Sequence, residues 1–334
     1  MPSLYAGLDV SDKSTAVCVV TAKGATVLET ETATAPDAIA AVLKPFKRQL
    51  KCVGQESGNL APWLEHGLAR AKFPMVCLDP AKAHASLNGR LNKTDVNDAR
   101  GLALILATGI YSRAHVKSVE AVRIRSVLLL RESIVRKGQD LSRSLTATGK
   151  RLKVDQQKSG KRVSLRSESR EALRAALGIV KASAAAMSAD RLKLDKIITA
   201  LAKENDVCCR FMKIPGVGPI TALSFFAAID DPKRFASSRN VGAYFGLTPR
   251  TFQSGESSRS GGISHRGDSM VRRMLYIAAF SMLVKSKSKC SVRRWGLKVA
   301  RTKGPKVAYV AVARKLAVLM HHIWVTGQDF DPSR

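Results

Sequence analysis

The stretch "LYAGLDVSDKSTAVCVV", residues 4–20, decides how the first third of the chain is read. Two runs rich in β-branched and aromatic residues flank Ser11-Asp12-Lys13, a polar turn signal, so the spacing predicts a strand, a tight turn and a second strand. Asp9 closes the first strand, at the point where a sheet hands its chain to a loop. A third run, "ATVLETETA" (25–33), follows Lys23-Gly24 and predicts another strand. The pattern then changes period. "DAIAAVLKPFKRQL" (37–50) is amphipathic with Pro45 set to end it early, and "KCVGQES" (51–57) is a strand that brings Glu56 to its end. A helix at "APWLEHGLARA", a strand at "PMVCLDP" and helices through 81–108 complete an α/β unit with a mixed sheet.

Within that unit "NKTDVNDARG" (92–101) places Asp95 and Asp98 three residues apart at a helix start, with Thr94 as N-cap. Two carboxylates on one helical face repel each other unless a cation lies between them. Strand ends on one side of a sheet converge, and a helix laid across them brings its i and i+3 positions to the same point. Asp9, Glu56, Asp95 and Asp98 therefore form a candidate metal-binding and catalytic set. Its hard oxygen donors suit Mg²⁺, two ions per site about 4 Å apart being the usual arrangement for phosphoryl transfer, with Mn²⁺ able to substitute. Taken singly, each residue reads as readily as a turn former or a helix-dipole partner.

Charge separates the chain into two regimes. It has 334 residues, 56 Lys and Arg against 26 Asp and Glu, and a formal net charge of +30. Residues 1–110 hold 12 basic and 10 acidic side chains; the rest hold 44 and 16. Such a field favours a polyanion, and nucleic acid is the usual one. The six cysteines have no C-x-x-C pair, so a reduced, cytoplasmic protein is expected. No secretory signal and no apolar run of membrane length is read from the sequence, so no membrane partner is expected.

From 113 to 206 long helical segments with few glycines appear, with Val127, Leu130, Ile134, Leu141 and Leu145 at helical steps and "KVDQQKSGKRVS" as a polar linker. Two antiparallel helices, a coiled coil for dimer contacts or a plain spacer, fit this pattern. Residues 207–334 read as a compact, mainly α domain with Gly-rich turns. In "KIPGVGPITA" (213–222), Gly216 and Gly218 allow a tight turn that brings amide N–H groups to a phosphate, the signature of a helix–hairpin–helix. "GLTPRTFQSGESSRSGGISHRGDSMVRRMLY" (246–276) sets Ser254 in a Q-S-G-E turn among Arg250, Arg259, Arg266, Arg272 and Arg273, candidate nucleic-acid-binding residues whose guanidinium groups can offset charge on a phosphate. Composition does not separate Ser254 from Ser257, Ser258 and Ser260, and His265 is a weak candidate base.

The ordered set "GLDVS…QESG…KTDVNDA", with the second block "KIPGVG…FQSGE", resembles the DEDD transposases of the insertion-sequence family that moves DNA with a bridge RNA. The pilin-type DNA invertases share the pattern. The resemblance implies a RuvC-like, ribonuclease-H-like domain at 1–112, a helical dimerisation region at 113–206 and a serine-containing transposase domain at 207–334. It maps the family's acidic quartet onto Asp9, Glu56, Asp95 and Asp98, and its serine nucleophile, which leaves a covalent phosphoserine link, onto Ser254. It also implies donor and target DNA, a non-coding bridge RNA and a dimer-to-tetramer assembly as partners. Other readings stay open at this point: a junction-resolving, metal-dependent nuclease that uses the quartet alone, or a nucleic-acid-binding protein with inert carboxylates. "GLDVSDKST" also resembles the first phosphate loop of sugar kinases and actin-like ATPases, but the second D-x-G loop those proteins need is missing.

Overall fold

The computed structural model describes residues 3–80, 82–83, 94–158, 167–254 and 257–333, in two compact units, Met1–Val119 and Glu120–Arg334. The first unit holds a five-stranded sheet in the order β3-β2-β1-β4-β5, built from β1 (Leu4–Val10), β2 (Ser14–Thr21), β3 (Thr26–Ala33), β4 (Leu50–Glu56) and β5 (Met75–Leu78). The first three strands form an antiparallel meander, while β4 and β5 run parallel to β1, so the mixed sheet expected from the sequence is present. Short turns suffice for the antiparallel strands; the parallel ones need the crossovers α1 (Pro36–Leu43) and α2 (Ala61–Arg70). As anticipated, α1 stops short of Pro45, which lies in a single 3-10 turn at Lys44–Phe46.

Alternation sorts the strands' side chains between two covered faces. Leu4, Ala6, Leu8, Val17, Val19 and Val53 pack with Ile39, Leu43, Leu64 and Leu68 of α1 and α2. Ala16, Cys18 and Val20 face Ala99 and Ala103 of α3 (Asp95–Thr108), and Cys52 faces Leu102 and Leu106 of the same helix. Two glycines permit this close approach. A Cβ on Gly7 would lie 2.1 Å from the Ala99 carbonyl oxygen, and one on Gly54 would lie 2.5 Å from Leu106 Cδ1. Because the Gly7 clash is with backbone, Gly7→Ala is expected to cost about 3 kcal/mol, at the upper end of overpacking penalties, measured by urea unfolding.

The second unit is mostly helical. α4 (Val119–Lys158) and α5 (Ser167–Glu204) run antiparallel, as Arg131 pairs with Asp195 and Gly138 faces Met187. On α5 the less exposed positions include Leu173, Leu177, Val180, Ala184, Met187, Arg191, Leu194 and Ile198 at a 4-3 spacing, with Ser183, Asp195, Thr199, Leu201 and Ala202 beside them. Leu130, expected in the apolar stripe, is 63% exposed, because the packed face of α4 instead follows Ile124, Leu128, Arg131 and Val135. Helix α4 also continues to Lys158 through the first part of the expected linker, whose residues 159–164 lie outside the described residues. The sequence expectation that no stretch has membrane length needs correcting for α5. By length and composition alone, Glu168–Glu204 is long and apolar enough to cross a membrane. Alanine supplies much of that apolarity, and its short side chain offers little area to bury.

Helices α6 (Asp206–Met212), α7 (Pro219–Ile229), α8 (Asn240–Tyr244), α9 (Ser269–Phe280), α10 (Ser291–Lys303) and α11 (Pro305–Thr326) enclose the larger core around Phe211, Phe225 and Phe245. The aromatic rings of Phe211 and Phe225 meet edge-on at 5.5 Å. Between α8 and α9 lies an antiparallel hairpin, β6 (Pro249–Ser254) and β7 (Ser257–Ile263), where the sequence reading expected a Gly/Ser loop among helices. Backbone ladder bonds make the strands here despite side chains of low β-propensity.

His321, on α11, is buried. Its Nε2–H donates to the Pro232 carbonyl at 3.0 Å, which fixes the tautomer, so Nδ1 accepts from the Ser238 hydroxyl at 2.8 Å. Burial holds its pKa below the ordinary 6.5, against the contribution of the Pro232 bond. The unfolded chain then binds the extra proton first, so stability present above pH 6.5 is lost as pH falls below it. Thermal unfolding between pH 7.5 and 5 is expected to show that loss, and His321→Gln to flatten the dependence.

Candidate active site

Asp9 is the penultimate residue of β1 and Glu56 the last of β4, on neighbouring parallel strands with Gly7 opposite Gly54. Period-two alternation puts Gly7 and Asp9 on the same face as Gly54 and Glu56. Helix α3 covers that face, and its direction follows from its neighbours. Ala99 and Ala103 lie on Gly7, while Leu104 lies against Gly24, beyond the Thr21 that pairs with Leu4 at the start of β1. The helix thus runs against β1, and its first turn lies toward the strand's C-terminal end. Asp95 is four residues before Ala99, and Asp98 four before Leu102, so both continue the line of the buried stripe at its N-terminal end, where Asp95 is exposed and Asp98 half-buried. Thr94 caps this helix as expected, its hydroxyl accepting from the Asn97 amide at 3.2 Å.

All four carboxylates therefore lie on one face and toward one end of the sheet, but they do not close into a single cluster. Asp9 and Glu56, with Asp12 and Gln55, line a pocket of about 250 Å³ that does not include Asp95 or Asp98. Among the described residues, no three His, Cys, Asp or Glu side chains are grouped to hold a metal ion. Lys93, just before the α3 cap, lies outside the described residues.

The pocket suits a hard divalent cation. Its donors are carboxylate oxygens, and the Gln55 side chain in its wall is fully buried with its amide oxygen unpartnered while its N–H donates to the Ala61 carbonyl at 3.0 Å. Behind it, burial raises the Glu65 carboxyl above the usual range, although His66 and a hydrogen bond from Gln55 oppose that shift. Cys77 is pushed up to about 12 by burial first and Glu65 second, so it remains a thiol. All six cysteines are free.

The serine region occupies the second unit. Ser254 ends β6 and pairs with Ser257 across the hairpin, while Gly255 and Glu256 lie outside the described residues. In the same ladder Ser258 faces Gln253, and Ser260 faces Thr251. The hairpin root is locked backbone to backbone. A Cβ on Gly246 (φ +66°) would lie 2.3 Å from the Arg266 oxygen, and one on Gly267 (φ +71°) would lie 2.1 Å from the Tyr244 oxygen. His265 adopts φ +55° in this turn and is exposed.

The arginines around Ser254 divide by what they touch. Arg272 donates to the carbonyls of Phe245 and Arg266 at 3.0 and 2.7 Å, so it clamps the root of the hairpin. Arg273 pairs with Glu132 at 2.7 Å, and Arg250 donates to the Ser264 carbonyl at 3.0 Å. Arg259 and Arg266 are exposed. Of the two turn glycines, Gly216 (φ +88°) approaches the Ala278 carbonyl, where a Cβ would lie at 2.4 Å, whereas Gly218 has open space and precedes α7. Sequence reading missed the clamping role of Arg272 and the buried His321, since both depend on partners distant in the chain.

Comparison with known proteins covers both regions. Residues 6–152 match a DEDD transposase family of the IS110 type, and residues 208–293 match the Transposase IS116/IS110/IS902 family. The transposase for insertion sequence element IS1111A of Coxiella burnetii is 30% identical over 246 residues, spanning 69% of this chain and 66% of that protein. A "Probable family 20 transposase" of Pseudomonas aeruginosa is 30% identical over 38% of each chain. The transposase for insertion sequence element IS1328 of Yersinia enterocolitica is 42% identical over 22% of each. The chain thus spans about two thirds or less of the length of these relatives. With matched blocks covering the carboxylate strands, the α3 turn and the root of the hairpin, this chain belongs to the IS110/IS116 family of DEDD transposases.

Proposed function

We propose that the protein is a DNA transposase, a recombinase that cuts and rejoins strands with a serine nucleophile and a metal-assisted acidic site. The observation that carries this reading is the placement of Asp9, Glu56, Asp95 and Asp98 on one face and end of a sheet ordered β3-β2-β1-β4-β5, in a chain of this family. That strand order supports a ribonuclease-H-like, RuvC-like fold for residues 1–112. The acidic residues would hold Mg²⁺, with two ions per site as the expected count and Mn²⁺ as a substitute. The metal's contribution is to polarise a phosphodiester and offset charge on its oxygens. Asp9 and Glu56 provide the first donors in the shared pocket, and Asp95 and Asp98 bring the remainder from the α3 turn.

Residues 113–206, of which 120–206 lie in the second unit, form a helical dimerisation arm whose 4-3 spacing supports a coiled coil. Residues 207–334 form the serine-containing domain. Ser254 Oγ attacks a phosphorus, forming an O–P bond as one ester bond to a deoxyribose breaks, and its proton passes to water or a nearby base. The displaced sugar hydroxyl, or one from another strand, later reverses the exchange, so bond energy is conserved without a nucleotide cofactor. Exposed Arg259 and Arg266 supply positive charge near the reacting phosphate, and the α6–turn–α7 segment, read as a helix–hairpin–helix, steadies the duplex through backbone amides. A bridge RNA that pairs with both DNA partners would read sequence, which leaves the basic protein to recognise charge and shape. A dimer-to-tetramer assembly in the bacterial or archaeal cytosol completes the reading.

Purified protein incubated with Mg²⁺, donor and target DNA and its flanking non-coding RNA is expected to yield recombinant junctions. Cleavage without rejoining would favour a nuclease, and DNA binding without either product would overturn the reading.

A further inference from the structure

Residues 269–328 contain 13 Lys and Arg and no Asp or Glu. The structure concentrates the exposed part of this charge on α10 and the segments flanking it. Helix α10 buries Val292 and Gly296, the latter so close that a Cβ would lie 2.5 Å from Val312 and 2.8 Å from Leu283. Its opposite side presents Arg294, Lys298 and Arg301, at i, i+4 and i+7, all exposed. Lys287 and Lys289 precede this row, and Lys303 and Lys306 follow it, also exposed. None of these seven cations has a carboxylate within ion-pair distance among the described residues. Trp295, beside the row, is 39% exposed, and Lys315 Nζ lies 4.7 Å from its ring centroid.

Like charges along the Arg294, Lys298 and Arg301 row, with exposed lysines before and after it in the chain, repel one another, and an anion of matching length offsets that repulsion. A helix of 13 residues is about 20 Å long, enough to follow several phosphates of a duplex. Base stacking, which single strands need, is poorly served here, since Trp295 already carries Lys315 near its ring. We infer that the outer face of α10, with Lys287, Lys289 and Lys306 in the segments flanking it, is a track for the sugar-phosphate backbone of duplex DNA, separate from the arginines around Ser254. This inference rests on the transposase reading for its choice of DNA over RNA.

The test uses the full chain with a 30-base-pair duplex and an RNA hairpin of equal length. The triple variant R294Q/K298Q/R301Q is expected to lower the slope of log K against log salt by about 2.7 for the duplex, with about tenfold or greater loss of affinity at 0.15 M salt. The variant K13Q/K23Q/K51Q, which removes equal charge from the other unit, is expected to leave the slope near native. Equal losses in both variants, an unchanged slope, or a loss confined to RNA would each overturn the assignment. Lysine acetylation of the native chain gives a readout without any substitution: duplex DNA should protect Lys287, Lys289, Lys298 and Lys306, and full reactivity of these lysines in the complex would overturn the assignment. Failure of the native chain to recombine DNA while these lysines are protected would count against the function and leave the track standing.

Discussion

Ser254→Ala is expected to abolish the SDS-resistant protein–DNA adduct and to reduce strand exchange by about 10⁴-fold or more, the scale seen when a nucleophile is removed. The family resemblance assigns the nucleophile to Ser254 and not to its hairpin neighbours. Ser257 pairs with Ser254 in the ladder but lies on the other strand, and Ser258 and Ser260 are opposite Gln253 and Thr251. Each of Ser257→Ala, Ser258→Ala and Ser260→Ala is therefore expected to retain the adduct. Electrophoresis of end-labelled DNA after SDS treatment gives the answer. Full cleavage by Ser254→Ala would assign the chemistry to the carboxylates alone and make the protein a nuclease.

Asp9→Ala is expected to lower strand exchange by at least about 10²-fold while duplex affinity stays the same or rises. The sign of the binding change separates two explanations. Removing an acidic group from a chain of net charge +30 strengthens any nonspecific hold on DNA, so a lower activity does not come from weaker binding. Asp9 also lies at the strand end rather than within the apolar cluster of Leu4, Ala6 and Leu8, which limits the cost to folding. Gel-shift titration beside a recombination assay measures both quantities. Loss of duplex binding in step with activity would make the carboxylate structural.

Much of the first unit was legible from local pattern. Runs of β-branched residues mark β1, β2 and β3, Pro45 ends α1, and Thr94 caps α3 in the place its sequence predicts. These features rest on a few adjacent residues. The convergence of the carboxylates was legible only in part. Asp9 and Glu56 share a pocket because their strands are neighbours in register, whereas the depth at which α3 lies on the sheet depends on Gly7 and Gly54, whose partners are up to 96 positions away. The hairpin β6–β7 was hidden because glycine and serine carry little strand preference, so backbone pairing decides. Leu130 looked like core and is exposed, since helical spacing alone does not say which of two adjacent stripes meets a partner. Arg272 looked like a phosphate ligand, yet its guanidinium is occupied by the carbonyls that cross at Gly246 and Gly267.

Everything else depends on the proposed gathering of the ends of β1 and β4 and the first turn of α3, which form no closed cluster among the described residues, around one divalent-ion site. Iron-directed backbone cleavage tests this most directly: Fe²⁺ replaces Mg²⁺ in the DNA-bound protein, ascorbate and peroxide generate radicals at the ion, and the fragments are mapped by mass spectrometry. The expected result is three groups of cuts, near Asp9, near Glu56 and near Asp95–Asp98, all suppressed by excess Mg²⁺. Cuts near Asp9 and Glu56 with none around Asp95 and Asp98, or cuts that Mg²⁺ does not suppress, would contradict it.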